Sequence, residues 1–121
     1  METVREIVFY KNHFEDFFES LPDKVKVKID EVLFMVTIIE RVPAKFFKSI
    51  EGKKGLFEIR IEYESNIYRI FCCFDAGYLI VLFSGFQKKT QKTPINILNK
   101  AEKIMNEYFN EQIEKKNGNK K

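Results

Sequence analysis

Apolar residues along this chain change their spacing twice, from a helical period to an alternating one and back again. Val4 to Tyr10 is a short run of strand formers, and Phe14, Phe17, Phe18 and Leu21 then recur three and four positions apart behind Asn12, a residue suited to capping a helix. A second helix opens around Ser20, Pro22 and Asp23, because the fixed φ of proline suits a first turn. Its apolar stripe is Val25, Ile29, Val32, Leu33, Val36 and Ile39, reaching about Glu40. Pro43 stops it, and AKFFKSIEGKKG (residues 44–55) reads as a basic connecting loop.

From Leu56 the period is two: Phe57, Ile59, Ile61 and Tyr63 alternate with Glu58, Arg60 and Glu62. Ser65–Asn66 reads as a tight turn, Ile67 to Phe74 as a second strand, Ala76–Gly77 as another turn and Tyr78 to Phe86 as a third strand. Thr93 then caps a last helix with Pro94 in its first turn, and Ile97, Leu98, Ala101, Ile104, Met105 and Tyr108 give it one apolar face. The pattern predicts an α+β fold, a small antiparallel meander sheet with two N-terminal helices and one C-terminal helix, packed mainly on one sheet face. Residues 1–112 make the single domain, and residues 113–121 form a disordered basic tail.

Two-residue turns set the strand register. Residue 64 then pairs with 67 and residue 75 with 78, which puts Glu62 opposite Arg69, Arg60 opposite Phe71 and Arg69 opposite Ser84. Arg60, Arg69, Ser84 and Phe86 share one face. The other collects Phe57, Ile59, Ile61, Tyr63, Tyr68, Ile70, Cys72, Phe74, Leu79, Val81 and Phe83 as the surface for the helices. A one-residue change in either turn would flip the assignment.

Composition narrows the function classes. The chain has 121 residues, is 45% hydrophobic and holds 13 Phe, enough to fold alone as one domain. Its longest apolar stretches are too short to cross a bilayer, and METVREIVFYKNHFED carries acids where a signal peptide needs a basic start, so a cytoplasmic location is expected with no membrane partner. Cys72 and Cys73 are neighbours on a strand and point to opposite faces, which makes them a poor disulfide pair. With His13 as the one histidine, no metal site and no cofactor is expected.

The net charge of +3 is unevenly spread: residues 1–44 hold 6 Lys/Arg against 9 Asp/Glu, whereas residues 45–103 hold 11 against 6. A basic centre suggests an anionic partner, nucleic acid being the usual one. On the mixed sheet face, Arg60 and Arg69 are flanked by Glu58 and Glu62, with Phe86 at the end and Lys88 and Lys89 just beyond. Arginine forks grip phosphate at two points, lysines add charge and an aromatic can stack a base, so the set suits single-stranded RNA. Ordinary cross-strand Glu and Arg pairing on a solvated face accounts for the same pattern.

The segment GLFEIRIEYESNIYRIFCCFDAGYLIVLFSGFQKKTQKTP, residues 55–94, resembles the signature region of the RelE/ParE toxin superfamily, in its phage-derived HigB-like branch. That branch carries a G-L-x-E-[LI]-R strand, a Y-R-I-F strand and a G-F-x-K-K-T-x-x-T-P passage into the last helix. The resemblance spans roughly residues 4–108. It implies a RelE-like fold and the toxin of a type II toxin–antitoxin pair, held inactive by a cognate antitoxin, often a helix-turn-helix protein. Freed, such a toxin acts as a ribosome-dependent mRNA endoribonuclease and arrests growth. Carried over by position, Arg60, Arg69, Lys88 and Lys89 are the catalytic set, with Lys48, Lys53 and Lys54 as RNA contacts; Phe86 joins these contacts as the aromatic that can stack a base. A histidine or tyrosine that some relatives place near the end of the last strand is replaced here by Phe86 and Gln87, and His13 lies too early to stand in. The base is then Lys88, Lys89, Lys54 or Glu58. A ParE-like gyrase poison and a non-catalytic antitoxin-binding relic are the alternatives.

Overall fold

The computed structural model describes residues 2–88 and 92–118, apart from the side chain of Leu79. Its elements follow as β1 (Glu6–Phe9), α1 (His13–Glu19), α2 (Asp23–Ile38), β2 (Phe47–Ser49), β3 (Phe57–Tyr63), β4 (Asn66–Asp75), β5 (Leu79–Lys88) and α3 (Ile95–Gly118). The strands form one sheet in the order β1-β5-β4-β3-β2. Neighbours are antiparallel except β1, which runs parallel to β5, so the fold is α+β as expected.

Both sheet faces are covered, which corrects the expectation of helices mainly on one side. Helices α1 and α2 lay Phe14, Val25, Ile29, Val32 and Val36 on Ile59, Ile61, Ile70, Ile80 and Leu82. Across the sheet, α3 lays Ala101, Ile104, Met105 and Tyr108 on Phe71, Cys73, Val81 and Phe83. Ile29, Ile59, Ile70 and Leu82 are fully buried, each burial stabilising by about 1.5–3 kcal/mol. Cys72 and Cys73 are both free thiols and divide between the two cores, so adjacency on a strand does separate them.

The register differs from the expected one at two places. The first turn is Glu64–Ser65, both at positive φ (47° and 67°), and Tyr63 pairs with Asn66, so Arg60 faces Arg69 and Glu62 faces Ile67. The loop keeps two residues but slides by one position, which leaves every β3 and β4 side chain on its expected face. The second connection has three residues, 76–78, with Asp75 opposite Leu79. That extra residue turns Val81 and Phe83 away from the α1–α2 core and onto α3, while Ile80 and Leu82 take the positions expected of them. A bulge between Phe71 and Cys72 adds the compensating step, so Arg69 faces Phe86 and Ile67 faces Lys88. Arg60, Arg69, Ser84 and Phe86 therefore share a face after all.

Polar ties hold the helices to this frame. The Arg5 guanidinium donates to the carbonyls of Val36, Ile39 and Glu40 at 2.5–2.6 Å, satisfying acceptors that the end of α2 leaves unpaired. On α3, Glu107 accepts from Tyr10 Oη at 2.9 Å and from Lys11, and Tyr108 Oη donates to Asp75 at 2.6 Å. Helix α3 continues to Gly118, through residues 113–118 that composition marks as tail; residues 119–121 lie outside the described residues.

Candidate nucleic-acid interface

Helix α3 covers the β4–β5 part of its face around Cys73 and Val81, and a polar cluster occupies the other end. There three cross-strand rows run side by side: Lys48, Glu58 and Phe71; Arg60, Arg69 and Phe86; Glu62, Ile67 and Lys88. Residues directly opposite on an antiparallel ladder put their side chains on the same side, so the basic and acidic groups converge there.

Arg69 forms the floor of the cluster. It is 2% exposed, and its Nε lies 2.7 Å from Glu58 Oε2, an ion pair in distance without the alignment of a hydrogen bond. Its Nη1 donates to the Tyr68 carbonyl at 3.1 Å. Burial works against its charge, and Glu58 and Glu62 work for it, while Arg60 opposes it. Guanidinium remains protonated in proteins, so Arg69 is a fixed buried positive charge.

Arg60 and Lys88 are half-buried and frame that floor. Arg60 Nη1 is 3.4 Å from the Ala44 carbonyl, and its buried Nε has no hydrogen-bond partner. The Lys88 ammonium is shifted below its ordinary value, first by burial and then by Arg69 and Arg60, with Glu58 pulling the other way. Phe86 stacks on Phe71 with ring centroids 6.1 Å apart and planes 8° from parallel, and it is partly packed into the α3 core.

The remaining expected residues divide. Lys48 is exposed opposite Glu58, at the margin of the cluster. Lys53 is held by α3, donating to Asn99 Oδ1 at 2.7 Å and to Glu102 Oε1 at 3.0 Å. Lys54 is exposed beside Gly55, whose φ of 83° turns the loop. Lys89 lies outside the described residues. His13 opens α1 and tilts against Tyr10, away from the cluster's members.

Two cations were not singled out in the sequence. Lys28 on α2 and Lys45 in the loop before β2 meet Arg60 on its outer side, and lysines 17 positions apart on a helix and a loop carry no periodic signal. Among the described residues no group of three or more His, Cys, Asp or Glu side chains is placed to hold a metal ion, and no helix is long and apolar enough to cross a membrane.

A search of curated proteins finds no match to the chain. Residues 16–106, from α1 into α3 and including every member of the cluster, match the family described as Phage derived protein Gp49-like (DUF891). That span is 91 of 121 residues, and the chain therefore belongs to the Gp49-like family, a RelE/HigB-like, toxin-type family.

Proposed function

We propose that the chain is the toxin of a type II toxin–antitoxin pair, an endoribonuclease that cuts mRNA on the ribosome without a metal. The observation that carries this reading is the convergence of Arg60, Arg69 and Lys88 around Glu58 at one end of the α3 face, with Arg60 and Lys88 half-buried. Toxin-type family membership supports it and implies a cognate antitoxin as partner.

In this reading the 2′-hydroxyl attacks the neighbouring phosphorus in line. The new O–P bond forms as the bond to the 5′-oxygen breaks, leaving a 2′,3′-cyclic phosphate. The 2′-hydroxyl proton passes to neutral Lys88 Nζ, and water returns a proton to the leaving oxygen. Lys88 suits the role because burial, Arg69 and Arg60 favour the uncharged form, and a base is most effective when its pKa lies near working pH. Arg60 reaches the surface and holds the phosphate as negative charge builds on it, an interaction of several kcal/mol when the donor is preorganised. Arg69 acts from below as a positioning residue, fixing Glu58 and lowering Lys88. Lys48 on β2 and Lys54 in the loop before β3 add positive charge, and Phe86 offers a ring edge for a base.

The test is induction of the chain alone in growing cells, followed by mapping of RNA ends, and the same mapping with purified ribosomes. New mRNA ends bearing cyclic phosphate, lost in Lys88→Ala, are the expected result. Intact mRNA with accumulating DNA breaks would replace this reading with gyrase poisoning, and unaffected growth would leave an antitoxin-binding relic.

A further inference from the structure

Arg60 lies on a boundary. The side of its strand that faces α2 opens into a cavity of about 210 Å³, lined by Lys28, Val32, Lys45, Phe46, Arg60, Ile61 and Glu62. That is several times the roughly 30 Å³ of one water. Three cations meet one carboxylate there. Among the described residues no carboxylate lies within ion-pairing distance of Lys28, Lys45 or Arg60. Glu62 is exposed at the rim, and Lys45 Nζ rests 5.6 Å from the centre of the Phe46 ring.

The local fold explains why the cations stay unpaired. Strand β2 begins only at Phe47, opposite Ile59, so beyond that point β3 is bordered by the incoming loop, with Arg60 N donating to the Phe46 carbonyl at 2.8 Å. That loop delivers Lys45, and α2 delivers Lys28 across the gap. Arg60 Nε is buried without an acceptor, an unfavourable state that an incoming acceptor would relieve. A phosphodiester, with one charge shared by two non-bridging oxygens, accepts from the Arg60 guanidinium and from both ammonium groups together.

We infer that the Lys28–Lys45–Arg60 cavity is a second phosphate subsite, holding a phosphodiester of the same single-stranded RNA next to the one gripped beside Lys88. The inference rests on the nuclease reading for the identity of its ligand. Arg60 belongs to both sites, so a strand crossing the β3 edge sets consecutive phosphates on its two sides.

The experiment is fluorescence anisotropy with a labelled, uncleavable 2′-O-methyl oligonucleotide, titrated over a range of salt. Lys28→Gln/Lys45→Gln should bind about tenfold more weakly at low salt, with a log–log salt slope about 0.7 unit shallower, because each phosphate contact in a single strand contributes about 0.7. Lys100→Gln/Lys103→Gln on α3 is the charge-matched control, and circular dichroism of both confirms folding. Equal losses in the two double variants overturn the subsite and leave the nuclease reading standing. Wild-type protein that does not bind the oligonucleotide overturns the RNA assignment of both sites. Selective loss in the Lys28/Lys45 variant, without cleavage by the wild type, keeps the subsite and removes the nuclease.

Discussion

Arg69 lies directly opposite Arg60 on the β3–β4 ladder, two like charges in register, and the buried member is held by Glu58 one step along the strand. Facing like charges destabilise a sheet, so the pair persists because Glu58 and Glu62 alternate with Arg60 on β3. The electrostatic arrangement of the face hangs on this interleaving.

Removing Glu58 should therefore do more than change a surface charge. Glu58→Gln leaves a guanidinium uncompensated in a site 2% exposed, and should cost about 3 kcal/mol. Urea denaturation should show a lower midpoint at unchanged slope. Glu58→Leu/Arg69→Met, which removes both charges, should recover most of that stability while remaining inactive toward RNA. A double variant that cleaves would separate the ion pair from function.

The cleavage rate should rise with pH as Lys88 Nζ loses its proton. Arg60→Gln removes a positive neighbour, so the Lys88 pKa climbs and the rising limb moves to higher pH; Glu58→Gln removes a negative one, and the limb moves lower. Lys88→Arg keeps the charge but cannot give up its proton, and should lose about 100-fold or more in rate. Single-turnover cleavage across pH 6–10 reads all three, and a limb that none of these variants moves would remove Lys88 from the base role.

Gly85 sets how closely α1 approaches the sheet. A Cβ there would sit 2.7 Å from Phe17 Cδ2 and 3.3 Å from the Arg69 carbonyl. Gly85→Ala should cost about 1–3 kcal/mol by pushing α1 outward, and Phe17→Leu in the same chain should return part of it. Thermal unfolding of the wild type and the two variants gives the comparison.

The Glu64–Ser65 turn spends two non-glycine residues at positive φ. Such turns favour Asn-Gly, and left-handed backbone costs an ordinary residue about 1 kcal/mol. Glu64→Asn/Ser65→Gly should raise stability by about 1 kcal/mol and leave the Arg60–Arg69 register unchanged, measurable as a higher melting temperature.

That turn also marks where the chain was hard to read. Periodicity placed both long helices and the three central strands, since their apolar residues repeat over many positions. Strand β2 has three residues in a basic loop, too few for a period to emerge. The first turn was expected at Ser65–Asn66 because Glu64 has no preference for positive φ, and the three-residue second loop and the β4–β5 bulge leave no mark in composition. These shifts cancel at Arg69 and Phe86 but not at Val81 and Phe83, and so the expected faces held for the polar cluster while the surface beneath α3 was missed. The members of the cluster were legible as residue types on one face. The burial of Arg69 and the tie from Lys53 to α3 were not, because both depend on contacts between distant elements.

The parallel pairing of β1 with β5 sets Glu6 beside Leu79 across more than 70 intervening residues. Contacts so remote in the chain close slowly and late. During synthesis β1 must wait without its sheet neighbour until β5 has emerged, and the strand carrying Lys88 is that same β5. The frame and the lysine arrive together, so a growing polypeptide of this kind cannot acquire the cluster before residue 88 has left its own ribosome.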